Sequence, residues 1–156
     1  MIEGSFIIGS QGLIETGYIR SMVFTDEQGV DPAIERDAYD DFAHHLIVKD
    51  GDETVGTGRL IYKDGEYLIG RIAVLPALRG QKYGDLIVRM LCTRAFAIKA
   101  STVTVHAQTQ VEAFYTKIGF KRVSEIYQEA GIDHVTMTID EASFMKPCNC
   151  QGKGCC

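Results

Sequence analysis

Residues 69–86, IGRIAVLPALRGQKYGDL, leave few choices to the chain that contains them. An apolar, β-branched run stops at Pro76, which has no N–H to give to a ladder. A basic turn with glycines follows. Apolar residues then return at Leu86, Ile87, Met90, Leu91 and Ile98, the spacing of one helix face. The order is strand, turn, helix. Unpaired N–H groups and the macrodipole at the start of such a helix favour an anion, and Arg79 and Lys82 add formal positive charge at its mouth. Gly80 and Gly84 allow backbone to come close to a ligand. Two better-known phosphate motifs are excluded: no G-x-x-x-x-G-K-[ST] occurs, and Gly56-Thr57-Gly58 lacks the third glycine of a dinucleotide fingerprint, with Ile61 in its place.

The rest of the chain builds one domain around this unit. At 156 residues and 46% hydrophobic it is long enough for a single core and too short for two. A net charge of −5 argues against general affinity for nucleic acid, which needs a basic face. Glu3, Glu15 and Arg20 break up the apolar N-terminal residues, so neither a signal-peptide core nor a membrane span is expected, and the expected location is the cytoplasm.

Residues 5–8 read as a short strand, and Leu13, Ile14, Tyr18, Ile19, Met22 and Val23 as an amphipathic helix. Residues 26–41 carry seven carboxylates against one base, Arg36. They read either as a solvated loop with helix-capping side chains or as an acidic wall for a cationic substrate. Strands over 45–49, 54–62 and 67–75, joined by Asp50-Gly51-Asp52 and Lys63-Asp64-Gly65, make an antiparallel meander. Arg59 and Arg71 lie within it and either snorkel from an exposed face or line a cavity. After the helix, strand 102–107, helix 111–118 and strand 135–139 imply a right-handed crossover with parallel strands, with a further short segment at 120–123 and a loop beyond it. Cys92 reads as a small buried hydrophobe.

The turn Arg79-Gly80-Gln81-Lys82-Tyr83-Gly84 resembles the pyrophosphate loop of the GNAT acyltransferases, except that Lys82 stands where glycine is usual. Residues 113–120, AFYTKIGF, look like the second motif of that family, an aromatic-Tyr pair before a small helix ending in Gly-Phe. More narrowly, 23–30 (VFTDEQGV), 56–60 (GTGRL), 106–110 (HAQTQ) and 129–134 (EAGIDH) are similar to the ElaA-like branch, so the resemblance runs from about residue 20 to 139. It implies an α/β GNAT fold: a central mixed sheet of six or seven strands, antiparallel at first and parallel around a cleft, with helices on both faces. The domain would occupy residues 1–140. Acetyl-CoA would be the co-substrate, held by backbone of Ile72, Ala73 and Val74, by Arg79, Gly80, Gln81, Lys82, Tyr83 and Gly84, and by Gln108 and Tyr115. The Val74 N–H would polarise the thioester carbonyl. A homodimer is a further expectation from the family.

Transfer in that family is direct attack by an amine, which sets the chemistry required. An alkylammonium of pKa ~10.4 is neutral about once in a few thousand molecules at pH 7, a cost on the order of 4 to 5 kcal/mol unless a base removes the proton. His134 is the candidate base, since imidazole titrates near the operating pH. A phenol can serve the departing thiolate as acid, and Tyr115 fits by motif. Glu27, His45, Arg59 and His106 are candidates for the acceptor pocket. The acceptor itself, small amine, amino acid, polyamine or protein lysine, is open. Residues 141–156 read as a tail outside the resemblance; Cys148, Cys150, Cys155 and Cys156 lack the paired C-x₂₋₄-C spacing of zinc modules, so no metal is expected there.

Overall fold

The computed structural model describes residues 1–146. Strand β1 (Ile2–Ile8) leads into α1 (Gly12–Arg20), whose last turn widens into a π-helical stretch, Ser21–Glu27. The short α2 (Pro32–Glu35) is capped by Asp31, and a 3₁₀ turn, Ala38–Asp41, by a capping box of Asp37 and Asp40. Then come β2 (His44–Asp50), β3 (Glu53–Lys63), β4 (Glu66–Val74), α3 (Tyr83–Ala97), β5 (Thr102–Gln108), α4 (Glu112–Ile118), β6 (Lys121–Arg122), β7 (Tyr127–Glu129), β8 (Ile132–Asp140) and α5 (Glu141–Phe144).

The strands form one sheet in the order β1-β2-β3-β4-β5-β8-β6, with β7 also paired to β8. Among the described strands only β4 and β5 run parallel, joined across α3. The meander follows its turns: Asp64 and Gly65, at φ 52° and 82°, form the two-residue hairpin that joins β3 to β4. The sheet has eight strands where six or seven were expected, because residues read as loop contain β7. Its hairpin to β8 turns on Ala130 and Gly131, at φ 51° and 76°. A left-handed alanine is a poor turn signal, which hid this hairpin in the sequence.

Strand alternation puts a helix on each face. Leu46 of β2 joins Ile87, Leu91 and Val88 of α3 in the main core. Its neighbour His45 points the other way, to α1, where a Cβ on Gly12 would collide with it. Gly56 and Gly58 of β3 are there for the same helix packing: a Cβ on Gly56 would lie 2.6 Å from Ile87 Cδ1, and one on Gly58 2.8 Å from Leu91 Cδ1. Phe144 of α5 packs on Phe96 of α3, with ring centroids 5.5 Å apart. Cys148, Cys150, Cys155 and Cys156 lie outside the described residues.

The acidic segment is held by arginines from three other elements. Arg20, 1% exposed, donates from Nε to Glu35 Oε1 at 2.5 Å and from Nη1 to Asp40 Oδ1 at 2.8 Å. Arg59 donates to Asp37 Oδ1 at 2.7 Å and to Asp40 Oδ1 at 2.8 Å. Arg71 reaches Asp37 Oδ2 at 3.3 Å. Three guanidiniums and three carboxylates thus close the loop 28–43 onto the sheet. Removing one partner of a buried pair strands the other charge, a cost of about 3 to 5 kcal/mol. Arg20→Met, similar in length and neutral, should lower the unfolding free energy by that amount in urea titrations; a loss under about 1 kcal/mol, the worth of an exposed pair, would show the network to be dispensable.

His45 belongs to the same structure. Its Nε2–H donates to the Asp40 carbonyl at 2.9 Å, while Nδ1 is buried without a partner. Burial pulls the imidazole below its ordinary pKa. The unfolded chain therefore takes up this proton first, so stability is complete above about pH 6.5 and falls as pH drops below it. Burial also works against the Asp40 charge, but Arg20 and Arg59 outweigh it and hold the carboxyl well below the usual range. Its contribution persists until about pH 4 and is lost below. Melting temperature should decline in two stages on acidification, the first reduced in His45→Gln; a maximum near pH 5 would contradict this.

Candidate active site

The parallel pair of β4 and β5 is short. Tyr67, Leu68 and Ile69 pair with Val103, Thr104 and Val105, and there the pairing stops. Beyond this point β5 stays with β8 as far as Gln108 opposite His134, while β4 stays with β3 through a bulge beside Arg59. The two strands diverge. Arg71, at φ 50°, takes up the bulge, and a Cβ on Gly70 would meet nothing within 4 Å. The Ala73 carbonyl lies toward Gly56 of β3, so alternation turns the N–H and C=O of Val74 to the opened side, where its carbonyl accepts from Arg79 Nε at 3.1 Å.

A cavity of about 860 Å³ fills this gap, lined among others by Arg71, Val74, Lys82, Gln108, Tyr115 and His134. The turn after β4 sits at one end of it. Gly80 and Lys82 are both left-handed, at φ 83° and 66°, and Lys82 is the N-cap of α3, with no side chain capping the helix. Lysine therefore takes the conformation that glycine takes freely, at a cost of about 1 to 2 kcal/mol. The N–H groups of the first turn of α3 are left without a side-chain cap. Gly80, Lys82, Tyr83 and Gly84 line the cavity, but Gln81 does not. Tyr83 contributes backbone at most, because its ring is buried and its hydroxyl donates to Asp50 at 3.1 Å.

The π-helical stretch brings residues 27 and 28 across the opening. Glu27 accepts two bonds of 2.6 Å from Arg79, and Gln28 accepts one of 3.0 Å from Gln108. Hydrogen bonding to Arg79 holds the Glu27 carboxyl below its usual pKa. Glu27 thus lines the cavity while paired to the turn.

At the other end, His134 of β8 is 7% exposed and its Nδ1–H donates to the Ile132 carbonyl at 2.7 Å. A carbonyl only accepts, so the neutral ring carries its proton on Nδ1 and keeps a lone pair on Nε2. That nitrogen lies 3.5 Å from Glu129, whose other oxygen is 3.1 Å from His106 Nδ1. The hydrogen bond to His106, with the charges of His106, His134 and Arg71, holds the Glu129 carboxyl below its usual pKa. Tyr127 stacks on His134. Sequence reasoning quoted Glu129 within a motif but gave it no role; the missed hairpin is what sets it beside His134.

Tyr115 lines the cavity from α4, packed edge-on against Phe114 and Phe120, and burial pushes its phenol well above the usual value. Cys92 is fully buried, its thiol pushed up to about 12, and is no nucleophile. Two expected pocket residues need correction. His45 is fully buried under α1 and does not line the cavity, because strand alternation sends it to the opposite face from Leu46. Arg59 does line it, but its guanidinium is spent on Asp37 and Asp40, whose bonds raise its pKa against the opposing effect of burial. For the same reason the acidic segment is no open anionic wall.

Comparison with known proteins agrees with this geometry. Residues 12–141 match the family model of the acetyltransferase (GNAT) domain. The uncharacterized N-acetyltransferase YjcF of Bacillus subtilis is 38% identical over 79% of this chain and 89% of its own. The crystal structure of Escherichia coli ElaA superposes with a TM-score of 0.76 at 30% identity, over 88% of this chain and 99% of that one. An acyl-CoA N-acyltransferase from Pseudomonas aeruginosa gives 0.77 at 25% identity, over 88% and 99%. With the family model spanning most of the folded domain and a relative this similar along most of its length, the chain belongs to the GNAT acetyltransferases, as an ElaA-like member.

Proposed function

We propose that this enzyme transfers acetyl from acetyl-CoA to a primary amine by direct attack, and the observation that carries the reading is the opened β4 edge ending in an uncapped, left-handed turn. The turn and the first N–H groups of α3 suit a pyrophosphate, with Arg79 and Lys82 at its mouth. The exposed edge at Val74 suits an amide-bearing arm laid along it as an added strand. Two solved GNAT structures with low identity to this chain support the donor: one from Elizabethkingia anophelis holds acetyl-CoA and one from Bacillus subtilis holds CoA. The Arg79–Glu27 pair is exposed and worth about 1 kcal/mol or less, so it yields readily to a phosphate.

The amine nitrogen forms the new bond to the acetyl carbon as the carbon–sulfur bond breaks. Val74 N–H polarises the carbonyl oxygen. His134 Nε2 removes the proton that frees the nitrogen lone pair, with Glu129 beside it to favour the imidazolium that results. Tyr115, kept protonated by its burial, donates to the departing sulfur, and the second proton lost by the nitrogen restores it. No covalent enzyme intermediate is needed.

His134→Ala should lower kcat/KM for the amine by about 10² to 10⁴ and abolish the acidic limb of its pH profile, while CoA affinity stays close to wild type. Tyr115→Phe should slow the reaction least with a thioester whose leaving group is more acidic. CoA release across a panel of amines measures both, and turnover within about threefold of wild type in both variants, far less than an acid or base contributes, would remove both assignments.

A further inference from the structure

We propose that the acceptor is a zwitterionic α-amino acid, its carboxylate received by Arg71 and its ammonium delivered to His134 and Glu129. The inference rests on the transferase reading above and names the substrate of that same site. Arg71 lines the cavity just past the last paired residues of β4 and β5. It is held at φ 50°, a strained conformation for a residue with a Cβ, at the bulge that opens the cleft. Its Nε donates to the Glu35 carbonyl at 2.9 Å, and Nη2 to the Ile34 carbonyl at 3.4 Å and to Asp37 at 3.3 Å. Nη1 has no partner among the described residues and is not sealed from solvent.

The nearby carboxylates do not balance this charge. Asp37, 3.3 Å from Arg71, is closer to Arg59, at 2.7 and 2.9 Å; Glu35, 3.8 Å from Arg71, is closer to Arg20, at 2.5 Å; and Asp40 is taken by Arg20 and Arg59. Burial, together with repulsion from Arg59 and Arg20, pulls the Arg71 guanidinium below the ordinary arginine value, the opposite of what happens to Arg59. Arg71 is the arginine of the network with the longest anion contacts, each to a carboxylate that another arginine holds more closely. Glu129, half exposed and 3.5 Å from the base, lines the same cavity. Arg71 is close enough to add to the depression of the Glu129 pKa. One under-compensated cation and one carboxylate facing a common space fit a molecule that carries both charges, and fit poorly with a polyamine or a simple alkylamine.

The test compares each amino acid of a standard panel with its own carboxamide, by kcat/KM from CoA release, in wild type, Arg71→Gly and Arg71→Lys. Glycine suits a positive φ, so the first variant keeps the backbone, which a thermal melt verifies. Wild type should prefer the acid by about 10- to 100-fold, the worth of a charge-assisted hydrogen bond. The ratio should fall to within about threefold of one in Arg71→Gly and be partly kept in Arg71→Lys. An amide that matches or beats its acid in wild type, or a ratio that survives in Arg71→Gly, overturns the proposal. If no amine releases CoA, the transferase reading fails. Calorimetry with the N-acetyl amino acids and their amides, in the presence of CoA, then decides the anion site by itself: tighter acid binding lost in Arg71→Gly supports it, and equal binding overturns it.

Discussion

The whole site depends on where two parallel strands stop pairing. Once Ile69 and Val105 have met, β5 follows β8 and β4 follows β3, so backbone that a regular sheet would satisfy internally is left facing a cavity. Unpaired strand edges are hazards in most proteins. Here the edge lies between the turn that opens α3 and the His134 wall, and the features around it serve to hold it open. The bulge at Arg71 bends β4 away, Gly70 adds no side chain to the gap, and the π-helical stretch spans its mouth from Arg79 to Gln108.

The second constraint is charge. Glu35, Asp37 and Asp40 stand opposite Arg20, Arg59 and Arg71 in a largely buried network that closes the loop after α1 over the sheet. A buried network of this kind adds little net stability compared with an apolar core, but it is costly to break and fixes which groups face the cavity. It removes the acidic segment as a free anionic surface and leaves Arg71 as its incompletely matched member. The polarity of the acceptor side is thus set by the residue at the bulge, not by the net charge of the segment.

Much of this was legible in the chain. Pro76, the glycines of the turn and the spacing from Leu86 to Ile98 locate β4, the turn and α3, and the two Asp-Gly turns fix the meander. His134 and Tyr115 were singled out through chemistry and motif, and both line the cavity. What was hidden is long-range. Nothing local tells that Arg20, Arg59 and Arg71 converge on carboxylates that look solvated in sequence. His45 looked like a pocket residue because a lone histidine does not reveal which face of a strand it takes. The hairpin carrying Glu129 turns on an alanine, so its strand passed for loop and its carboxylate for an ordinary surface charge.

Amide hydrogen exchange resolved to single residues reads the open edge directly. Without ligand, the Val74 N–H should exchange faster than that of Ala73, whose backbone faces β3. Adding CoA should slow exchange at Val74 and at the first amides of α3 from Tyr83, and leave Ala73 as it was. Val74 protected before CoA is added, or CoA protection confined to other parts of the sheet, would contradict a cleft opened by the divergence of β4 and β5.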